Sequence, residues 1–198
     1  MSLLSSIKYR WNYFRTRFRF KTMHVKHGKF ITAGVPFVKI SKTKGGSIMI
    51  GDNLRINNGM SANQIGFGST PCTFMAVGGD IIIGNNVGMS QATLYALDAN
   101  ITIGDHTLLG GGTKIFTSDF HPINYNYRRD KILNEKYKES KNVVLGNDCF
   151  IGSGTIILKG VEIGDRTVIG AGSVVTKSIP PGCIAAGNPC RVIKKIEI

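Results

Sequence analysis

At 198 residues with 42% hydrophobic side chains, the chain holds one domain with a sizeable core and has little room for a second. Aromatic residues make up 9% against 25 glycines, which points away from a ring-packed core and toward small and aliphatic side chains repeated on a regular frame. No stretch approaches the ~20 apolar residues of a spanning helix, and a formal charge of +13 marks polyanions as the expected counterparts.

The start of the chain carries much of that charge. No Asp or Glu precedes Asp52, whereas Lys8, Arg10, Arg15, Arg17, Arg19, Lys21, Lys26, Lys29, Lys39, Lys42 and Lys44 all do. Such a field suits cofactor phosphates, a nucleotide- or lipid-linked sugar, an anionic membrane surface or nucleic acid. Leu3, Leu4, Ile7, Trp11 and Phe14 fall at helical spacing, predicting a short amphipathic helix over Met1–Phe14. From Arg15 to Lys21 Arg alternates with Phe or Thr, which reads as a strand. Residues 1–48 are therefore expected to form a basic helix and cap that shields the first coil of the repeat region, or a foot that rests peripherally on an anionic membrane. His24 and His27 read as solvated. Met1 to Lys8 lacks the features of a secretory signal, so the expected compartment is the cytoplasm, at most peripheral at the inner face of the membrane.

Residues 49–198 are written in sixes. Leu145, Ile151, Ile157, Ile163, Ile169 and Val175 recur at every sixth position, with Gly after the aliphatic at Gly146, Gly152, Gly164 and Gly170. A small or β-branched residue follows at Thr155, Thr167 and Ser173. Upstream, Leu97, Ile103, Leu109 and Ile115 form one run, Val77, Ile83, Met89 and Tyr95 another, and Ile50 with Ile56 the first trace. The phase slips between runs predict small insertions at corners. A six-residue unit is a short strand plus a turn, and three such units close a triangular coil whose inward aliphatics stack from coil to coil. Six is not a helical period, and Gly recurs too often for a helix. Glycines and the Gly-Asp or Gly-Asn pairs supply positive φ or tight backbone at the corners, and His106 falls in such a corner as an exposed turn residue. Cys72, Cys149, Cys183 and Cys190 form no Cys-x-x-Cys pair, which argues for reduced structural thiols over a zinc ribbon or redox motif.

The repeat breaks after Ile115. Residues 117–142 read as an extruded polar loop carrying Tyr125, Tyr127, Arg128, Arg129, Asp130 and Lys131, and a long loop on a repetitive scaffold is a place for function. The tail spans residues 178–198.

The run from Ile169 to Arg191, Ile-Gly-Ala-Gly-Ser-Val-Val-Thr-Lys-Ser-Ile-Pro-Pro-Gly-Cys-Ile-Ala-Ala-Gly-Asn-Pro-Cys-Arg, resembles the C-terminal signature of the galactoside, maltose and xenobiotic acetyltransferases of the hexapeptide-repeat acyltransferase superfamily. The resemblance extends from about Ile81 to the C-terminus. It implies an all-β, left-handed parallel β-helix, an exception to the right-handed crossover rule. It also implies a homotrimer with sites between neighbouring subunits, and acetyl-CoA as co-substrate for transfer to a sugar hydroxyl in a surface polysaccharide or other glycan. Thr117-Ser-Asp-Phe-His-Pro122 resembles the family segment whose His precedes Pro and acts as general base, which makes His121 the expected base; imidazole titrates near neutrality.

Asp119, two residues away and on the same face of an extended segment, either holds that imidazole or closes the turn. For the donor, the matching positions are Ser153 and Ala171 along the pantetheine, Thr176 and Lys177, then Arg191 and Lys194 toward the phosphates. Phe150 stands as an apolar wall where many relatives carry Trp. For the acceptor, Ser90 and Asp98 align with sugar-contacting positions, and Arg128 and Arg129 suit an acidic sugar. An amino-sugar N-acetyltransferase is the enzymatic alternative, and a nonenzymatic basic binding protein the alternative of another class. A γ-type carbonic anhydrase needs three zinc-binding histidines, and the four present lack the spacing, so no metal is expected. Serine acetyltransferases add a helical N-terminal domain for which there is no room. The charges follow no nucleic-acid motif, so no nucleic-acid partner is expected.

Overall fold

The computed structural model describes residues 3–59 and 70–197. Three parallel sheets form the sides of a triangular prism. The first contains Lys26–His27, Ile48–Ile50, Ile81–Ile83, Ile101–Ile103, Val143–Leu145 and Glu162–Ile163. The second contains Phe30–Ala33, Leu54–Asn57, Gly88–Ser90, Leu108–Leu109, Phe150–Ile151, Val168–Ile169 and Cys183–Ala186, and closes with the antiparallel Arg191–Lys195. The third contains Phe37–Ile40, Thr73–Val77, Thr93–Leu97, Lys114–Phe116, Ile156–Ile157 and Val174–Val175. The three strands between Lys26 and Ile40 are the first coil, so the prism begins inside the segment assigned to the cap.

Register follows the sixes. Leu145 faces Ile163 one coil on, an offset of 18 residues or three hexapeptides. Ile83 faces Ile103 across 20 residues and Ile103 faces Leu145 across 42, the excess being the extruded loop. Ile50 faces Ile83 across 33, a step longer than the small corner insertions expected. Buried Asn58 donates to Thr32 Oγ1 and accepts from the Cys72 backbone N–H. On the third-sheet strands Thr73–Val77 and Thr93–Leu97 the inward residues include Phe74, Ala76, Leu94 and Ala96, all at 0% exposure, while Val77 and Tyr95, expected inside, lie half-buried on the outer face. The pleat alternates, and the five-residue step from Met89 to Leu94 shifts the sixfold count by one. The inward hydroxyls of Thr107, Thr155, Thr167 and Ser173 donate to backbone carbonyls, as buried polar groups must.

One corner shows why Gly precedes Asp or Asn. The side-chain oxygens of Asp52, Asn85, Asp105, Asn147 and Asp165 form a ladder, each accepting a backbone N–H from the coil before it. A Cβ on Gly104 would sit 2.6 Å from Asn147 Oδ1, so glycine is needed there for close approach. Positive φ falls two residues later instead, at Asn53, Asn86, His106, Asp148 and Arg166.

The N-terminal segment is one helix, α1 (Leu3–Thr22), and this corrects the strand read over Arg15–Lys21; Met1 and Ser2 of the expected helix lie outside the described residues. Tyr13 stacks on Phe30 at 4.8 Å, and Phe20 packs on Phe30 and His27. That contact with the first coil overrides the local alternation and makes His27 half-buried instead of solvated.

Candidate active site

The extruded loop leaves the prism at the edge joining the third sheet to the first. It is pinched at the neck: Ser118 bridges Ser140, Asp119 N–H donates to Glu139 O, and Lys141 N–H donates to Thr117 O. Two short helices lie beyond the neck, α2 (Tyr125–Arg129), N-capped by Asn124, and α3 (Lys131–Tyr137), N-capped by Asp130. Both caps are Asx residues directly before the helical turn, a signal the polar composition of the loop concealed.

His121 is exposed on this loop. Before it, Phe120 takes φ 64°, a conformation costly for a bulky residue. Its ring is held 5.2 Å from that of Tyr95 and 5.6 Å from that of Phe116, and its N–H donates to Ser118 Oγ. The turn this imposes aims the next side chain away from the coil. His121 Nδ1 lies 3.1 Å from Asn134 Oδ1, and Asn134 Nδ2 points at Arg128 O at 3.5 Å. Since the carbonyl can only accept, the amide orientation follows, Nδ1 is the donor to Asn134, and in the neutral ring Nε2 is then the acceptor.

Of the two roles open to Asp119, its contacts match closure of the turn. Its carboxylate pairs with Lys159 Nζ at 3.2 Å, and Lys159 also reaches Glu139 at 2.8 Å. Those contacts, the Glu139 hydrogen bond foremost, hold the Lys159 ammonium above its ordinary pKa. Asp119 therefore closes the neck, and Asn134 is the residue on the imidazole. Asp98 is likewise engaged: its Oδ2 meets Lys138 at 3.0 Å and Lys44 at 3.3 Å, and both lysines hold Glu135 of α3. Hydrogen bonds from Lys138 and then Lys44 pull the Glu135 carboxyl down to about 2. Arg128 Nη1 donates to Pro122 O and Ile123 O, bracing the backbone just after His121. Arg129 lies exposed over the Tyr125 ring.

The remaining expected residues divide between two edges. Ser90, Ser153 and Ala171 stack at the edge joining the second and third sheets, where Gly112, Gly154 and Gly172 N–H groups bond to the coils before them. Ser90 Oγ is 3.2 Å from Asn57 Nδ2. Phe150, half-exposed, lies on the outer face of the second sheet between Leu108 and Val168, and exposed Arg191 and Lys194 sit on its closing hairpin. Thr176 and Lys177 project instead at the edge of His121, one coil beyond Leu158 and Lys159. Within the chain the third sheet separates the two groups. Among the described residues no three His, Cys, Asp or Glu side chains are grouped to hold a metal ion.

The bacterial transferase hexapeptide (six repeats) family matches residues 142–177. Over 127 residues the chain is 40% identical to galactoside O-acetyltransferase of Escherichia coli (strain K12), covering 64% of this chain and 60% of that protein. The chain spans about 60% of the length of the curated relatives it matches. A hexapeptide-repeat-containing acetyltransferase of Vibrio cholerae, solved with acetyl coenzyme A, superposes with a TM-score of 0.55 at 27% identity over 92% of this chain and 77% of that one. AntD, an N-acyltransferase from Bacillus cereus solved with dTDP and 3-hydroxybutyryl-CoA, shares the fold at a TM-score of 0.69 and 21% identity, over 91% and 88% of the two chains. The three parallel sheets match a left-handed β-helix of hexapeptide repeats, with α1 added at its start.

Proposed function

Starting from a chain that belongs to the hexapeptide-repeat superfamily, we propose that it transfers an acetyl group from acetyl-CoA to a sugar hydroxyl in glycan modification, with His121 as general base. The observation that supports this reading is the exposed imidazole held through Nδ1 by Asn134, which leaves Nε2 for the substrate. That nitrogen accepts the hydroxyl proton as the oxygen attacks the thioester carbonyl. The thiolate that leaves recovers a proton from the imidazolium, so the base is regenerated within one ternary complex.

The donor residues support the same reading by their chemistry. Ser153 and Ala171 leave a low surface along their edge, Phe150 is a half-exposed apolar wall beside it, and Lys177, Arg191 and Lys194 are exposed cations suited to phosphates. Because these groups fall on two edges, the complete site needs two copies. In a trimer, the His121 edge of one copy faces the Ser153 edge of the next.

The test is thiol release from acetyl-CoA against simple sugars, nucleotide sugars and amino sugars, run beside His121→Ala. A hydroxyl acceptor should turn over, and the variant should lose about 10²- to 10⁴-fold in kcat with donor binding retained. Turnover confined to amines and indifferent to His121 replaces this reading with N-acetyl transfer. Failure to bind acetyl-CoA removes the acetyltransferase assignment.

A further inference from the structure

Helix α1 carries two apolar stripes where docking to the coil requires one. Tyr9, Tyr13, Thr16 and Phe20 follow helical spacing toward the prism, with Thr16 and Phe20 at 0% exposure and Tyr13 on Phe30. Ile7, Trp11, Phe14 and Phe18 repeat the same spacing and are exposed by 57%, 61%, 63% and 63%. At about 100° per residue, these four cluster within roughly 60° of one another on the side opposite the docked one. A groove of about 350 Å³ runs beside them, its apolar lining of Trp11, Phe14, Phe18, Met23 and Val35 edged by Arg15 and Arg19, so the apolar surface reaches Val35 on the body of the protein.

The cations are placed with respect to that stripe. On the same helical projection, Lys8, Arg15 and Arg19 form a row along one side and Arg10, Arg17 and Lys21 a row along the other. Arg19 also donates to Pro36 O, which ties its row to the first coil. Lys26, Lys29, Lys39 and Lys42 extend the positive field over exposed positions nearby, and no acidic residue occurs before Asp52.

We propose that the outward face of α1 is a docking surface for an anionic lipid bilayer, on which the helix lies flat. Trp, Phe and Ile enter the headgroup and acyl boundary while the two basic rows meet the lipid phosphates on either side. The helix lies on the membrane and does not cross it, since no described helix is long and apolar enough to span. A second copy is disfavoured as the occupant, because pairing two such faces sets both cationic rows of one against those of the other. A nucleic acid would be held by the rows and leave the aromatic stripe in water.

The chain contains a single tryptophan, Trp11, so its fluorescence reports on this stripe alone. The full-length protein is mixed with phosphatidylcholine vesicles, with phosphatidylcholine vesicles containing phosphatidylserine, and with a single-stranded oligonucleotide. The expected result is co-sedimentation with the anionic vesicles, a blue shift of Trp11 emission and quenching by brominated lipid. Added salt should weaken the binding. Phe14→Ser with Phe18→Ser should weaken partitioning by about tenfold or more while leaving the thermal transition of the coil in place; the wild-type Trp11 signal decides the matter should that variant not fold. No association with anionic vesicles, or association that leaves Trp11 emission and brominated-lipid quenching unchanged, would overturn the proposal. So would a stripe already shielded in lipid-free solution in a concentration-dependent way, which assigns it to a second copy.

Discussion

At the scale of single residues the proposed chemistry rests on one imidazole and what turns it outward. Asn134 is neutral, so it selects a tautomer without adding the charge that a carboxylate would. Asn134→Ala is expected to lower kcat about tenfold with KM for acetyl-CoA unchanged, because the ring loses its orientation and not its basicity. Asn134→Asp supplies a carboxylate that favours imidazolium, so the acid limb of the pH–rate profile should move to higher pH. A merely structural Asn134 would leave that limb in place. The segment Thr117–Pro122 is contiguous and was readable as a motif. Asn134 stands thirteen residues after His121 inside a polar loop, and only the folding of α2 and α3 brings it to the ring.

At the scale of elements, the corner ladder and the loop neck set the stability. Gly104→Ala forces a Cβ against Asn147 and the Gly146 backbone, and urea unfolding should show a loss of about 2 kcal/mol or more. The Asp105 carboxyl is held below the usual carboxylate range, chiefly by the Asn85 backbone N–H. A depressed folded pKa gives stability that is present above the unfolded value and lost as pH falls through the folded one. Melting temperatures should therefore drop below about pH 4, and Asp105→Asn, which keeps the acceptor but cannot titrate, should fall less over the same range.

Glu135 has the same sign, with its folded pKa at about 2. Its clamp on Lys44 and Lys138 should persist through mild acid, whereas Glu135→Gln should raise protease cleavage within residues 123–138 already at neutral pH. The Gly-Asp and Gly-Asn pairs marked this corner in the sequence. The division of labour, glycine for approach and the residue two places on for positive φ, depends on the neighbouring coil and was not readable locally.

At the scale of the whole molecule, the proposed site draws on residues at two edges, so the proposal predicts that activity requires assembly. His121→Ala and Ser153→Trp should each be inactive alone. Co-assembled in equal amounts, they should recover about a quarter of the wild-type rate, since a site built between neighbours is intact wherever the two lesions fall in other sites. No recovery would place both groups in one subunit's site.

The sixfold period determined the coil, its inward aliphatics other than Val77 and the break at the loop from the sequence alone, because each of these depends on residues a few places apart repeating a short rule. Only the tertiary structure decided the helical state of Arg15–Lys21, the outward face of Tyr95, and the partners of Asp98 and Asp119. Each of these turns on a contact between residues distant in the chain, and side-chain spacing carries no record of which neighbour a coil will bring alongside.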